Sequence, residues 1–372
     1  MSQGITTLFI GQDGFSNYPL SDYTRKLNRN PVAVNIASFS GHNSLREIVL
    51  GKDFRRTATE SEIQKMSEML GADMEAGAWG LSSGLEYDPG IYSNSEEVVE
   101  LAKVAAKKGG RYISHIRSED RYFWKAVDEI ISIGEKAQIP VQISHMKLAL
   151  QSLLGKTGEL KGKLDIARSK GIEISADVYP YTYWQSTMQV LFPERNFNDR
   201  NEDEFVLSQI TTPAGITLTQ FDPNPDYVGK TLQQISRIRN EDPPATLSAL
   251  IEQTLDKDDS ESIIAESMTE EDVIDLIKWK YTNICTDGGS GGGHPRGYGT
   301  YPRVLGKYVR ENGWLSLEEA VYKMSGLVAK NMGLKGRGML RIGNFADIVI
   351  FDPETIIDKA TPQNSTEISI GI

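Results

Sequence analysis

Short apolar runs rich in β-branched residues alternate along the chain with longer segments whose apolar positions recur every three or four residues. That alternation of periods predicts parallel strands joined by helices. The strand runs fall at 5–10, 32–39, 79–83, 112–115, 141–145, 172–179 and 281–287. Thr59 with Glu62 makes a capping box for a helix carrying Ile63, Met66 and Leu70. Ser93 with Glu96 makes a second, for a helix with Val98, Leu101, Ala102 and Ala105 that ends at Lys107-Lys108-Gly109-Gly110. Further helices are predicted between His115 and Val141, at about 152–170 and at 316–332.

Seven strands separated by helices fit an α/β protein, a TIM-like (β/α)8 barrel one strand short. The shortage lies at the front, so the first strand is expected before Met1. The alternation breaks after Tyr181. About a hundred polar, proline-spotted residues follow, too long for a structureless loop, so 182–280 is expected to be an inserted lid subdomain. The expected organisation is barrel strands over 1–181, the lid over 182–280, the last barrel strand and helix over 281–336, and a C-terminal strand and tail over 337–372. In the last part, Arg341-Ile342-Gly343-Asn344-Phe345-Ala346-Asp347-Ile348-Val349-Ile350-Phe351-Asp352 reads as a turn plus a buried strand outside the barrel.

The 372 residues suffice for one such barrel with additions, and 39% hydrophobic with 24% charged residues is ordinary for a globular protein. A net charge of −11 argues against a nucleic-acid partner, which needs clustered positive charge. No apolar run approaches the ~20 residues of a membrane span. The single cysteine, Cys285, leaves no internal disulfide framework and suits a reducing, cytoplasmic setting. An upstream signal peptide stays open, as does homo-oligomerisation.

Two of the four histidines stand at the ends of neighbouring strand runs, Tyr112-Ile113-Ser114-His115 and Val141-Gln142-Ile143-Ser144-His145. A strand–helix–strand unit sets such ends side by side above the carboxyl edge of the sheet. Two imidazoles meeting there read as half of a metal site. Asp13, after the first strand, offers a third ligand of the kind zinc accepts, or is a turn residue. Asp287, at the end of the last strand, can exchange a proton with a metal-activated water, or is a turn former before glycines. His42 lines the same mouth or serves a turn or the core. Cys285 shares a strand side with Asp287 and reads as buried and inert. The string Asp287-Gly288-Gly289-Ser290-Gly291-Gly292-Gly293 lacks the Gly-Lys-Ser/Thr ending of a phosphate loop and reads as a flexible active-site loop.

With these residues in place, the chain resembles the N-acyl-D-amino-acid deacylase (D-aminoacylase) branch of the amidohydrolase superfamily. The resemblance is carried by Gln3-Gly4-Ile5-Thr6-Thr7, Tyr112-Ile113-Ser114-His115-Ile116-Arg117, Ile143-Ser144-His145-Met146-Lys147, Asp177-Val178-Tyr179-Pro180-Tyr181, Thr286-Asp287-Gly288 and His294-Pro295-Arg296-Gly297-Tyr298-Gly299-Thr300. It implies a metal-dependent (β/α)8 barrel with an insertion after the seventh strand and a small β-sandwich, of which Gly343-Asn344-Phe345-Ala346-Asp347-Ile348-Val349 resembles one strand. By position, it implies that His115 and His145 hold a tightly bound zinc and that Asp287 is the catalytic aspartate. Lys147, Tyr179 and Arg296 match residues gripping the substrate carboxylate, and Tyr87 an aromatic of the same pocket.

Asp13 stands where the family has a bridging cysteine, and no His-x-His or His-x-Asp pair occurs in the chain, so one zinc is expected and a second is doubtful. The expectation is a chain truncated at both ends, or a gene model begun at an internal methionine. The implied activity is hydrolysis of the linear amide of small-molecule N-acyl-D-amino acids. Two alternatives stand beside it: a cyclic amidase of the dihydroorotase or hydantoinase kind, and a catalytically incomplete fragment whose barrel is open.

Overall fold

The computed structural model describes residues 2–372 apart from 256, 258, 259 and 290. All seven predicted parallel strands form. They are β1 (Thr7–Ile10), the pair β2 (Asn35–Ser38) and β3 (Ser40–Gly41), β4 (Gly80–Gly84), β5 (Arg111–His115), β6 (Val141–Ile143), β7 (Ile174–Val178) and, late in the chain, β11 (Thr282–Ile284). β2 and β3 are one strand interrupted at Phe39. Its first half pairs with β1 and its second with β4. Six strands then run in the order β11-β7-β6-β5-β4-β3, every neighbour parallel. The central strands β4, β5 and β7 are buried apart from Arg111 at the start of β5, as expected where both faces are covered.

Among the described residues no ladder joins β11 to β1. The buried side chain of Gln3 spans the two ends instead. Its Nε2 donates to the carbonyls of Arg296 (3.4 Å) and Gly297 (2.7 Å), and its Oε1 accepts from the Tyr301 N–H at 3.1 Å.

Helices cover the strands with apolar stripes. The capping box at Thr59 and Glu62 forms as predicted and opens the helix Glu60–Glu75. The next cap is Asn94 rather than Ser93, because the Ser93 hydroxyl donates to the Gly90 carbonyl at 2.6 Å and Asn94 accepts from the Glu97 N–H. The helix predicted over 316–332 is two, Leu317–Met324 and Gly326–Met332, broken at Ser325.

Within 182–280, residues 182–268 lie outside the parallel layer. β8 (Tyr183–Ser186), β9 (Ile216–Phe221) and β10 (Glu261–Glu266) form an antiparallel sheet in the order β8-β10-β9. The helix Glu270–Lys278 belongs with the strand-covering helices. Lys161 Nζ donates to its Asp275 at 2.6 Å, and Trp279 Nε1 to Asp165 at 3.0 Å.

The buried strand expected over 341–352 does not form. The segment has no ladder partner, and Leu340, Ile342, Phe345 and Ile350 lie exposed. Among the described residues, no helix is long and apolar enough to cross a membrane.

Candidate metal centre and substrate pocket

Four strand ends deliver the chemistry to one mouth. His115 is the last residue of β5, and His145 follows β6 by two residues. The Ser144 N–H donates to the Ser114 carbonyl at 2.9 Å, the His145 N–H to Asp177 Oδ1 at 2.6 Å, and the Met146 N–H to the Asp177 carbonyl at 2.7 Å. Asp177 on β7 therefore fixes the turn that presents His145. Asp13 follows β1, and Asp287 follows β11.

Asp13, His145 and Asp287 all hold left-handed backbone, with φ of 52°, 34° and 46°. Asp tolerates that region, but for His it is an outlier costing on the order of 1–3 kcal/mol. Strain of this kind collects where side-chain placement matters more than stability. Gly14 (φ 85°) seats the Asp13 turn against the fold, since a Cβ there would lie 2.1 Å from Asn43 Oδ1 and 2.7 Å from the Gly84 nitrogen.

The two imidazoles meet edge to face with centroids 4.7 Å apart, and His115 Nδ1 lies 3.0 Å from His145 Nε2. Asp13 Oδ1 stands 3.4 Å from His145 Nε2, and the Tyr87 hydroxyl 3.0 Å from His115 Nδ1. Behind each ring is a buried carboxylate. Glu86 Oε2 lies 2.8 Å from His115 Nε2, and Glu119 Oε1 lies 3.1 Å from His145 Nδ1. Lys147 Nζ is 2.6 and 2.7 Å from the two oxygens of Glu119 and 2.6 Å from His145 Nδ1. Asp13, His115 and His145 offer ligand atoms close enough for one metal ion, and so do Glu86, His115 and Glu119.

On the far side, Arg296 pairs with Asp287 at 2.6 Å and lies over the Tyr179 ring, 4.7 Å from its centroid. The Arg296 Nε and the Tyr179 hydroxyl are buried with no hydrogen-bond partner. His294 shapes this corner: its Nε2 donates to the Tyr183 carbonyl at 2.9 Å, and its Nδ1 accepts from the Arg296 N–H at 3.0 Å. The pocket has an empty volume of about 440 Å³. Its remaining wall is mostly apolar, with Ala149, Trp184, Val190, Leu191 and Ile210 beside the neutral polar Gln185 and Ser186.

For Asp13, Glu86, Tyr87, His115, Glu119, His145, Lys147 and Tyr179 burial is the largest influence, and neighbours decide the outcome. For Asp13, burial is overcome by His145, His115 and Lys147, which hold its carboxyl down to about 2. Burial holds the His115 imidazolium down to about 3. For His145, burial and Lys147 are outweighed by Asp287, Asp13 and Glu119, and it is pushed up to about 10. Lys147 and Glu119 favour each other's charge despite burial. Burial together with Asp120 and Glu119 pushes Glu86 well above the usual carboxylate range. Burial raises Tyr87 and Tyr179, keeping both phenols protonated.

The structure thus brings together Asp13, Tyr87, His115, His145, Lys147, Tyr179, Asp287 and Arg296, all singled out in the sequence. Two acids at the centre of the cluster, Glu86 and Glu119, were not. His42 lies elsewhere, buried with Arg46 around Glu97 (His42 Nε2 to Glu97 Oε1 2.8 Å), and is a core residue. Cys285 is half-buried rather than buried, and its thiol is pushed far up by loss of solvation and the nearby Asp177 and Asp287 carboxylates, as suits an inert thiol. Ser290, within the glycine string, lies outside the described residues.

No protein-family model matches the sequence. A D-aminoacylase of Alcaligenes xylosoxydans xylosoxydans is 32% identical over 398 aligned positions that take in all of this chain and 76% of that protein. The crystal structure of a D-aminoacylase that defines a subset of amidohydrolases superposes with a TM-score of 0.86 at 31% identity, covering all of this chain and 78% of its own. The N-acyl-D-glutamate deacylase of Bordetella bronchiseptica, complexed with zinc and a phosphonate mimic of the tetrahedral intermediate, gives a TM-score of 0.88 at 30% identity with the same coverage. The chain belongs to the D-aminoacylase family, the N-acyl-D-amino-acid deacylases among the amidohydrolases.

Proposed function

We propose that the chain hydrolyses the linear amide bond of N-acyl-D-amino acids, releasing a carboxylate and a D-amino acid, with one zinc ion held by His115, His145 and Asp13. The donor set fits the metal. Two imidazole nitrogens 3.0 Å apart face one carboxylate whose Oδ1 has no hydrogen-bond partner. The surroundings fit as well: among the described residues, Glu86, Glu119, Asp120 and Asp287 line the pocket against two permanent cations, Lys147 and Arg296. A dication offsets that excess. When bound, zinc supplies Lewis-acid chemistry, polarising the acyl carbonyl and making a water more acidic.

The observation that carries the substrate reading is the convergence of Lys147, Tyr179 and Arg296, with the Tyr179 hydroxyl and the Arg296 Nε unpartnered. Buried donors without partners are costly, and a substrate carboxylate satisfies them with charge-assisted hydrogen bonds. Tyr87 borders the carbonyl side. The carboxylate grip, the metal and the apolar wall fix three substituents of the α-carbon and so select one stereoisomer. Asp287 takes the proton of the attacking water and delivers it to the departing nitrogen. Arg296, ion-paired to Asp287, links this proton carrier to the carboxylate grip.

In the same reading the seven parallel strands (within 1–181 and 281–336) belong to a (β/α)8 barrel, residues 182–280 are its lid, and 337–372 derive from a small β-sandwich. The substrate is a small molecule, and the enzyme works in the cytoplasm. Asp287→Asn tests the core of the proposal. The variant should retain zinc and lose hydrolysis of N-acetyl-D-amino acids by at least roughly 10²-fold. Hydrolysis at the parental rate removes Asp287 from the mechanism.

A further inference from the structure

Two buried carboxylates stand behind the histidines, and the zinc reading above gives Glu86 a specific task. It sits in the loop after β4, 4% exposed, and among the described residues its Oε2 is the sole hydrogen-bond partner of His115 Nε2, at 2.8 Å. The Arg195 guanidinium donates to the Glu86 backbone carbonyl at 2.8 Å, and the Glu119 N–H approaches Glu86 Oε1 at 3.4 Å, so backbone and carboxyl are each held. The opposite ring nitrogen, Nδ1, points at His145 Nε2 and the Tyr87 hydroxyl, each 3.0 Å away.

A neutral imidazole carries one proton, and its place decides which nitrogen can bind a metal. A carboxylate at Nε2 holds the proton there and leaves the Nδ1 lone pair facing the ligand cluster. We infer that Glu86 is a positioning residue of the metal centre, fixing the tautomer and ring orientation of His115 by accepting its Nε2–H. Glu119 stands in the same relation to His145, but it also binds Lys147. Substituting it would disturb two functions at once, and Glu86 is the clean test.

The arrangement also explains why an acid is kept in so unfavourable a place. Glu86 is buried beside Asp120 and Glu119, while the two cations near it are already engaged, Lys147 with Glu119 and Arg195 with Asp88. A dication on the far side of the imidazole supplies the missing charge through the ring. Metal and acid therefore stabilise each other, and removal of either weakens the other's site.

The purified parent chain, Glu86→Ala and Glu86→Gln are compared by chelator competition for zinc, by metal content, and by the visible spectrum of the Co²⁺-substituted protein. Glu86→Ala should bind zinc roughly 10–100-fold more weakly at an unchanged stoichiometry, with a shifted Co²⁺ spectrum. Glu86→Gln, whose amide oxygen accepts the same hydrogen bond without the charge, should fall between it and the parent. Imidazole ¹⁵N NMR of the zinc-loaded parent should show the His115 proton on Nε2.

Unchanged affinity and spectrum in Glu86→Ala overturn the inference. So does a complete loss of zinc in both variants, which would make Glu86 a ligand. Should the alanine variant not fold, Glu86→Gln decides alone: weaker zinc binding with a shifted spectrum supports the role, and parental values refute it. A parent that binds no zinc overturns the metal reading itself. A zinc-binding parent with indifferent variants overturns only the role of Glu86.

Discussion

Glu261, at the start of β10, couples the pocket wall to pH. Its Oε1 accepts from the Met188 N–H at 2.7 Å and so anchors the turn that carries Val190 and Leu191 into the pocket. The other oxygen is buried without a partner. Burial raises the carboxyl from 4.5 to about 7, against the smaller opposing effect of the Met188 hydrogen bond. The folded chain therefore holds this proton to higher pH than the unfolded chain does. Below about pH 4.5 both states are protonated, and Glu261 costs nothing electrostatically. Between 4.5 and 7 the unfolded chain ionises freely while the folded chain resists, so stability falls with rising pH, by roughly 3 kcal/mol in all, and levels off above 7. Glu261→Gln can keep the Met188 hydrogen bond and has no charge to bury. The variant-minus-parent difference in unfolding free energy, from urea denaturation at fixed zinc content between pH 4.5 and 8, should grow by about that amount in the variant's favour. A difference that stays flat over this range would refute the assignment, because the comparison cancels every group the two proteins share.

Gly14→Ala must strain left-handed backbone and displace Asn43 or the Gly84 backbone. It should destabilise the fold by about 1–3 kcal/mol and weaken zinc binding through Asp13, measured by thermal unfolding and chelator competition; parental values in both would clear Gly14 of seating the ligand. Both pocket cations, Lys147 and Arg296, serve the substrate's α-carboxylate, and the wall of Ala149, Trp184, Val190, Leu191 and Ile210 adds only the neutral Gln185 and Ser186, so kcat/KM should favour N-acetyl-D-leucine over N-acetyl-D-glutamate by at least roughly tenfold. The reverse order would place an unforeseen cation within reach of the side chain.

Much of this architecture is legible in the sequence because the signals are local. The seven strand runs are short, apolar and closed by turn residues, and the Thr59–Glu62 box needs only four consecutive residues. His115 and His145 stand out because each ends such a run. Lys147, Tyr179 and Arg296 emerge through the family resemblance rather than through spacing. Glu86 and Glu119 are invisible by comparison. An acid in a loop after a strand looks like a solvated residue, and only the pairing of β4 with β5 and of β5 with β6 brings them behind the two imidazoles. His42 shows the converse, a strand-end histidine whose partner, Glu97, lies on a helix distant in sequence. The strand expected over 341–352 carries the right local pattern, but β structure needs a neighbour, and the described chain provides none there.

The claim on which the rest depends is that His115, His145 and Asp13 together bind one catalytic zinc. Metal analysis of the purified chain alongside His145→Asn, each assayed on the two enantiomers of an N-acetyl amino acid, tests it most directly. The account predicts about one zinc per parent chain with hydrolysis of the D-enantiomer alone, and loss of both zinc and activity in the variant. Metal-free aggregates of the parent, or a variant that keeps its zinc and its activity, would contradict it.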